Sequence, residues 1–220
     1  MKYTPILFST SMVQAILEGR KTMTRRKVKD FGNQKFEVGM WEDDLRPYAL
    51  EPLVSDKKGL LKGIPCSLID NSHLCPYGYV GDILWVRETW QWVDIKKDYT
   101  GYVYKASGGL DWEMSNEDWK WEPSIFMPKK ACRLFLKITD IKVERLHDIS
   151  EADAICEGIF KAESCGEIMY YNNKQGGGSL SAKKSFKILW AKINGEESWN
   201  ANPWVWVISF EQIEKPLTNF

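Results

Sequence analysis

The sequence predicts an α+β chain whose strands build a small β-barrel or strongly curved sheet decorated by long loops. Strand-like alternation recurs in non-consecutive stretches, only a few short helical patterns stand between them, and no strand–helix–strand repeat is visible. The length of 220 residues, with 44 % hydrophobic and 13 % aromatic side chains, suits one domain with a sizeable core better than two.

The elements follow in order. YTPILFS (3–9) is compatible with a strand, and STSMVQAILEG reads as a short helix with Ser or Thr at its start and Gly19 just past its end. From Asp30 to about Gly81 the pattern is polar and punctuated by Pro and Gly, the composition of a long insertion. GDILWVRETWQWV then turns at Gly81–Asp82 and continues as one strand. Its alternation puts Leu84, Val86, Glu88 and Trp90 on one face and Ile83, Trp85, Arg87 and Thr89 on the other. GYVYKA is a second strand, followed by an irregular Trp- and Glu-rich segment.

CRLFLKITDIKVERL alternates with Cys132, Leu134, Leu136 and Ile138 on one side and is long enough to bend across a barrel. DISEADAICEGI reads as a capped helical turn stopped by Gly158, and the stretch around NNKQGGGS as a flexible insertion. SAKKSFKILWAKING is the clearest helix, with Phe186, Leu189, Trp190 and Ile193 at i, i+3, i+4 and i+7. NPWVWVISFEQIE closes the chain as a strand with Trp204, Trp206, Ile208 and Phe210 on one face. The organisation is a single domain over 1–220 with insertions at about 30–80, 107–130 and 160–180.

The 30 basic and 30 acidic residues cancel, which excludes a broad positive field for non-specific binding to nucleic acid. Any such role must be local. One block answers that description: six cationic side chains fall between Arg20 and Lys29, interleaved with Thr22 and Thr24. Hydroxyls and guanidinium groups together supply the donors that hold a phosphate or a base edge, while the plain alternative is a solvated loop after a helix end. Trp85, Arg87, Glu88 and Trp90 form a second cluster, in which Glu88 and Trp90 share a face, one able to accept from an exocyclic amine and the other to stack on a base. Trp85 is the better core candidate.

The five cysteines are scattered without a repeated C-x-x-C spacing, so the expectation is reduced thiols in a cytoplasmic protein without a membrane segment or signal peptide. CSLIDNSHLCP places Cys66, His73 and Cys75 in one loop, weak candidates for a zinc site that Cys132 or Cys165 would complete. A hydrolase pairing Cys156 with His147 lacks a recognisable third group. No metal site and no cofactor is expected.

FSTSMVQAILEGRKTMTRR, CPYGYVGDILWVRETW, VERLHDISEADAICEGI and NPWVWVISFE, in that order, resemble the ASCH family of PUA-like small β-barrels, in particular a type common in phage and prophage genomes. Residues 30–70, 107–122 and 160–180 fall outside the resemblance. It implies a cleft between the GRKT segment, the GD strand and the last strand, with RNA, single-stranded DNA or a modified nucleoside as partner. Arg20, Lys21, Thr22, Arg25, Arg26, Glu88 and Trp90 would line it.

One branch of the family, the small bacterial N4-acetylcytidine amidohydrolases, builds its site from a Lys and a Thr in GRKT-x-T and a Glu in a later helix. GRKTMT and ISEADAICEGI match these segments. The resemblance then implies an amidohydrolase with Thr24 as nucleophile, Lys21 as its base and Glu157 as proton donor or orienting group. This chain is about twice the size of those enzymes. A third reading is a phage accessory protein that acts by protein contact.

Overall fold

The computed structural model describes residues 1–28, 37–40, 47–50, 54–55, 61–62, 75–95, 99–108, 120–164, 166–172 and 178–216. Its strands are β1 (Tyr3–Leu7), β2 (Met23–Lys27), β3 (Glu37–Met40), β4 (Pro47–Leu50), β5 (Val54–Ser55), β6 (Leu61–Lys62), β7 (Ile83–Arg87), β8 (Trp90–Ile95), β9 (Tyr99–Tyr104), β10 (Phe135–Arg145), β11 (Phe160–Ser164), β12 (Glu167–Tyr171) and β13 (Trp204–Ile213). Four short helices stand among them: α1 (Thr10–Leu17), α2 (Glu151–Cys156), α3 (Ala182–Asn194) and α4 (Glu196–Asn200). The chain is thus mixed α+β and mostly strand, and no described helix is long and apolar enough to cross a membrane.

One five-stranded sheet, in the order β1-β7-β10-β13-β2, carries the fold; the other strands pair two by two as β3-β4, β5-β6, β8-β9 and β11-β12. β13 is the reason the core has two sides. Trp206, Ile208 and Phe210 pack with Ile6, Leu84, Val86, Leu136, Ile138 and the α1 residues Val13 and Ile16. Val205 and Val207, one position out of phase, pack with Leu146, Ile149, Ala154, Phe186, Trp190 and Trp199 under α2 and α3. The period of two thus assigns one strand to two apolar layers.

Of the expected small β-barrel or strongly curved sheet, the described residues form an open sheet and not a closed barrel. Among the described residues the edge strands β1 and β2 share no ladder. Phe8, Val13 and Ile16 occupy the apolar side there, and the Arg26 side chain of β2 reaches across to donate to the Leu7 carbonyl of β1 at 2.7 Å. Curvature is present all the same, since β10 carries a register shift between Ile138 and Asp140, where a bulge bends a long strand.

The single strand expected from Ile83 through Trp90 is divided. β7 joins the main sheet, whereas β8 pairs with β9. The break falls at Glu88, whose N–H donates to Met127 Sδ and whose carboxylate is taken by Arg133, so side-chain partners replace ladder bonds there. The flexible insertion expected at 161–180 contains the β11-β12 hairpin, with Phe160 stacked on Tyr171; residues 173–177 of that stretch lie outside the described residues. Within the insertion expected at 30–80, β3-β4 and β5-β6 form short ladders.

Candidate functional site: a cleft beside β2

Two glycines bring the site together. Gly19, at φ +71°, ends α1 and lets both Arg20 N–H and Lys21 N–H donate to the Ala15 carbonyl at 2.9 Å. The chain thus turns before β2 begins, and Lys21 lies ahead of the strand instead of inside it. From the other side, the Ser150–Asp153 capping box starts α2, and Gly158 at φ +101° stops it. A Cβ on Gly158 would come within 3.0 Å of Ala15 Cβ and 3.3 Å of Lys21 Cβ. Only a bare backbone approaches so closely. Lys21 and Glu157 then form an antiparallel bridge, next to a bond from Thr22 N–H to the Cys156 carbonyl at 2.9 Å.

The Lys21 ammonium sits in that junction with its three donors engaged: Glu157 Oε2 at 2.7 Å, the Glu157 carbonyl at 2.9 Å and the Met23 carbonyl at 2.8 Å. Burial holds its pKa below the usual lysine range, opposed by the charge and hydrogen bond of Glu157, with Arg25 and Arg26 pushing further down. Arg25 joins the same network. Its guanidinium contacts Glu144 Oε1, Asp153 Oδ2 at 2.9 Å and Glu157 Oε1 at 3.4 Å, and Lys142 in turn reaches Glu144 at 2.9 Å. Three cations thus meet three carboxylates. Burial pushes the Asp153 carboxyl up, but the Arg25 charge and the Ser150 N–H outweigh it and hold it below the usual range.

Thr24 and Arg26 project to the other side of β2, opposite Ile208 and Trp206 of β13. Thr24 is buried and makes no hydrogen bond to Lys21, whose donors are spent on other acceptors. Arg26 packs its guanidinium over Phe8, 5.2 Å from the ring centre, and Lys21 Nζ lies 5.6 Å from the same ring. Among the described residues, Arg26 Nη2 donates to the Leu7 carbonyl, and Nε is buried without a partner. Burial lowers the Arg26 pKa from its ordinary value.

A cleft runs beside β2 with about 60 Å³ of room for water-sized atoms. It is lined by Thr24, Arg25, Arg26 and Lys27 of β2 and by Glu157, together with Phe186, Leu189, Trp190 and Ile193 of α3. The structure thus brings Lys21, Thr24 and Glu157 to one place, with Lys21 sealed behind Glu157.

The remaining predicted site residues fall elsewhere or change role. Arg25, expected to bind ligand, has a side chain of 0 % exposure given over to carboxylates. Arg20 is held by Glu18 at 2.6 Å, by the Gly158 carbonyl and by the Phe160 ring. Thr22 is exposed, with its carbonyl accepting from Phe210 N–H at 2.9 Å. Glu88 and Trp90 do not share a strand face: Glu88 forms a bidentate pair with Arg133 at 2.8 and 2.9 Å, and Trp90 packs with Tyr102. Neither lines the cleft.

Cys66, His73 and Cys165 lie outside the described residues. Burial pushes the Cys75 and Cys132 thiols up to about 11, which disfavours the thiolate a metal needs. Among the described residues no group of His, Cys, Asp and Glu is placed to hold a metal ion. His147 is committed to the Trp199 carbonyl at 2.8 Å, and its ring lies tilted against the Trp199 ring with centres 4.7 Å apart, so it is not a partner of Cys156.

Sequence reasoning missed Glu144, Asp153 and Arg133 as charge partners and α3 as a cleft wall. Only Asp153 left a signal, three residues after Ser150, and that signal read as a helix cap. No family model, curated protein or solved structure matches this chain.

Proposed function

We propose that this chain is a PUA-like protein of the ASCH type that binds a nucleoside unit, free or within RNA or single-stranded DNA, in the cleft beside β2. One observation carries the reading: the cleft is lined both by polar residues, Thr24, the β2 cations and Glu157, and by Leu189, Trp190 and Ile193 of α3. A nucleobase has the matching character, with an apolar face and polar edges. Glu157 would accept from an exocyclic amine, Arg26 would donate to a carbonyl or phosphate, and α3 would cover the flat face. Ile193 is 51 % exposed, so Ile193→Asp keeps the fold and puts a charge on the apolar wall. Titration of RNA, single-stranded DNA and nucleosides should show binding by the unmodified protein and its loss in Ile193→Asp. Equal binding by both proteins would reject the cleft as the site.

A second reading is favoured by the convergence of Thr24, Glu157 and Lys21. An amidohydrolase acting on an N-acylated cytidine would use Thr24 Oγ to attack the acyl carbon. Its proton would pass to a neutral Lys21, the amine would leave with a proton from Glu157, and water would cleave the acyl-threonine ester. Burial favours a neutral Lys21, but the three acceptors around Nζ hold the ammonium form, so this chemistry requires an Nζ proton to pass first to Glu157 Oε2, which leaves Lys21 neutral as the base and Glu157 protonated as the acid. Chromatography of N4-acetylcytidine incubated with the protein tests it. Cytidine released by the unmodified protein and not by Thr24→Ala is the expected result, and no release, or equal release by both, rejects the mechanism.

A further inference from the structure

The two edges of the main sheet are finished differently. In β1 the Lys2 carbonyl accepts from Ile83 N–H and Phe8 N–H donates to the Arg87 carbonyl, so alternation turns the main-chain groups of Lys2, Thr4, Ile6 and Phe8 toward β7. Tyr3, Pro5 and Leu7 turn theirs to the outer edge, where Pro5 has no N–H and the Leu7 carbonyl is taken by Arg26. In β2 the bonds of Thr22 and Val28 to β13 fix which residues face the ladder. Thr24 and Arg26 do, and Met23, Arg25 and Lys27 face outward. Lys21 occupies the Met23 carbonyl, whereas the main-chain N–H and C=O of Arg25 and Lys27 make no hydrogen bond among the described residues.

The cleft lies against this open stretch. It touches Thr24 and Arg26, whose side chains lie on one face of β2, and Arg25 and Lys27, whose side chains lie on the other. One cleft reaches both faces of a strand only around its free edge, since β13 closes the other edge. Lys27 stands opposite Val205, on the face that packs beneath α3, and has no ion pair among the described residues. Leu189, Trp190 and Ile193 of α3 supply apolar surface beside it.

We propose that β2 takes an extended peptide of a partner protein as an added strand, with apolar side chains under α3 and an acidic one beside Lys27. Main-chain pairing at the edge supplies affinity, and the flanking side chains select the sequence. Strand addition stands apart from the nucleoside reading above, and the two ligands would exclude each other from the cleft.

Calorimetry and amide-resolved hydrogen exchange of the full chain with the synthetic peptide acetyl-TVSVTDS-amide test this. Bound peptide should slow exchange of the Arg25 and Lys27 amides about tenfold or more, and leave those of Thr24 and Arg26, already bonded to β13, unchanged. Within a strand, residues sharing a face also share an edge for their main-chain groups. N-methylation of the Val and Asp residues and N-methylation of the residues between them should therefore differ, one set weakening binding about tenfold or more and the other keeping it. Lys27→Glu should weaken TVSVTDS about tenfold and prefer TVSVTKS, a reversal that a folding defect cannot produce. Equal behaviour of the two N-methylated sets, or no slowing at Arg25 and Lys27, would overturn strand addition, and absence of the reversal would overturn the acidic contact. Binding of octacytidylate without any binding of the peptide at millimolar concentration would overturn the proposal and leave the nucleoside reading standing.

Discussion

Arg25 and Arg26 are adjacent in β2 and differ in almost everything but chemistry. Arg25 points toward the α2 side, where Glu144, Asp153 and Glu157 surround its guanidinium. Arg26 points toward Phe8 and has one hydrogen bond, to a backbone carbonyl. A cluster of like charges in a sequence therefore need not act as one patch. Strand alternation sends consecutive cations to opposite sides, and the carboxylates waiting there decide which cations are structural and which stay available to a ligand.

That contrast can be broken by mutation, and the largest effect should come from Arg25. Arg25→Met leaves three carboxylates without their shared cation and should cost about 3–5 kcal/mol in urea unfolding, the range for breaking a buried ion pair. Lys21→Met should cost a similar amount. Lys21→Met combined with Glu157→Leu should recover much of it, because a matched apolar replacement removes both charges at once. A double variant as unstable as the sum of its parts would show that the two residues do not act as a pair.

Gly158→Ala comes next. The positive φ and the close contact with Ala15 both oppose a Cβ, and about 1–3 kcal/mol of destabilisation should accompany the separation of Lys21 from Glu157. Wild-type stability in this variant would mean that the junction is looser than its contacts indicate.

Acid sharpens the comparison on the Arg25 side only. The folded pKa of Asp153 lies below the ordinary 3.8, so its contribution is fully present above that pH and is lost as pH falls through the folded value. Between the two values the unfolded chain binds more protons than the folded one, and stability therefore rises with pH there. Asp153→Asn should flatten this limb in unfolding curves taken from pH 2 to 5. Arg26→Gln should leave the limb unchanged and alter stability by less than about 1 kcal/mol, since it removes one exchangeable hydrogen bond and an unpaired donor. A flattened limb in Arg26→Gln would place it in the same network as Arg25.

The fold was legible where burial enforces a period. β13 announces itself as NPWVWVISF because it packs on both faces, and α3 as F-x-x-L-W because one stripe faces the core. Ser150, Asp153 and Gly158 fixed α2 for the same kind of local reason. The break at Glu88 was not legible, since it depends on Arg133, 45 residues away, and on Met127. The open edge of the sheet was hidden as well: whether β1 meets β2 is decided by Phe8 and by Arg26 reaching for Leu7, neither of which has a pattern in the sequence. In the site, Lys21 and Glu157 could be paired only through the family resemblance. Composition alone could not separate Arg25 from Arg26, because their difference lies in Glu144 and Asp153, 119 and 128 positions further on.

The division between spent and available cations is tested most directly by the salt dependence of octacytidylate binding, compared between the unmodified protein and Arg26→Ala. Each phosphate contact to a single strand contributes a slope of about −0.7 in log K against log salt. The unmodified protein should show a slope steeper by about that amount than Arg26→Ala, with weaker binding by the variant at low salt. Parallel lines of equal affinity would contradict the account, because Arg26 would then be as internal as its neighbour.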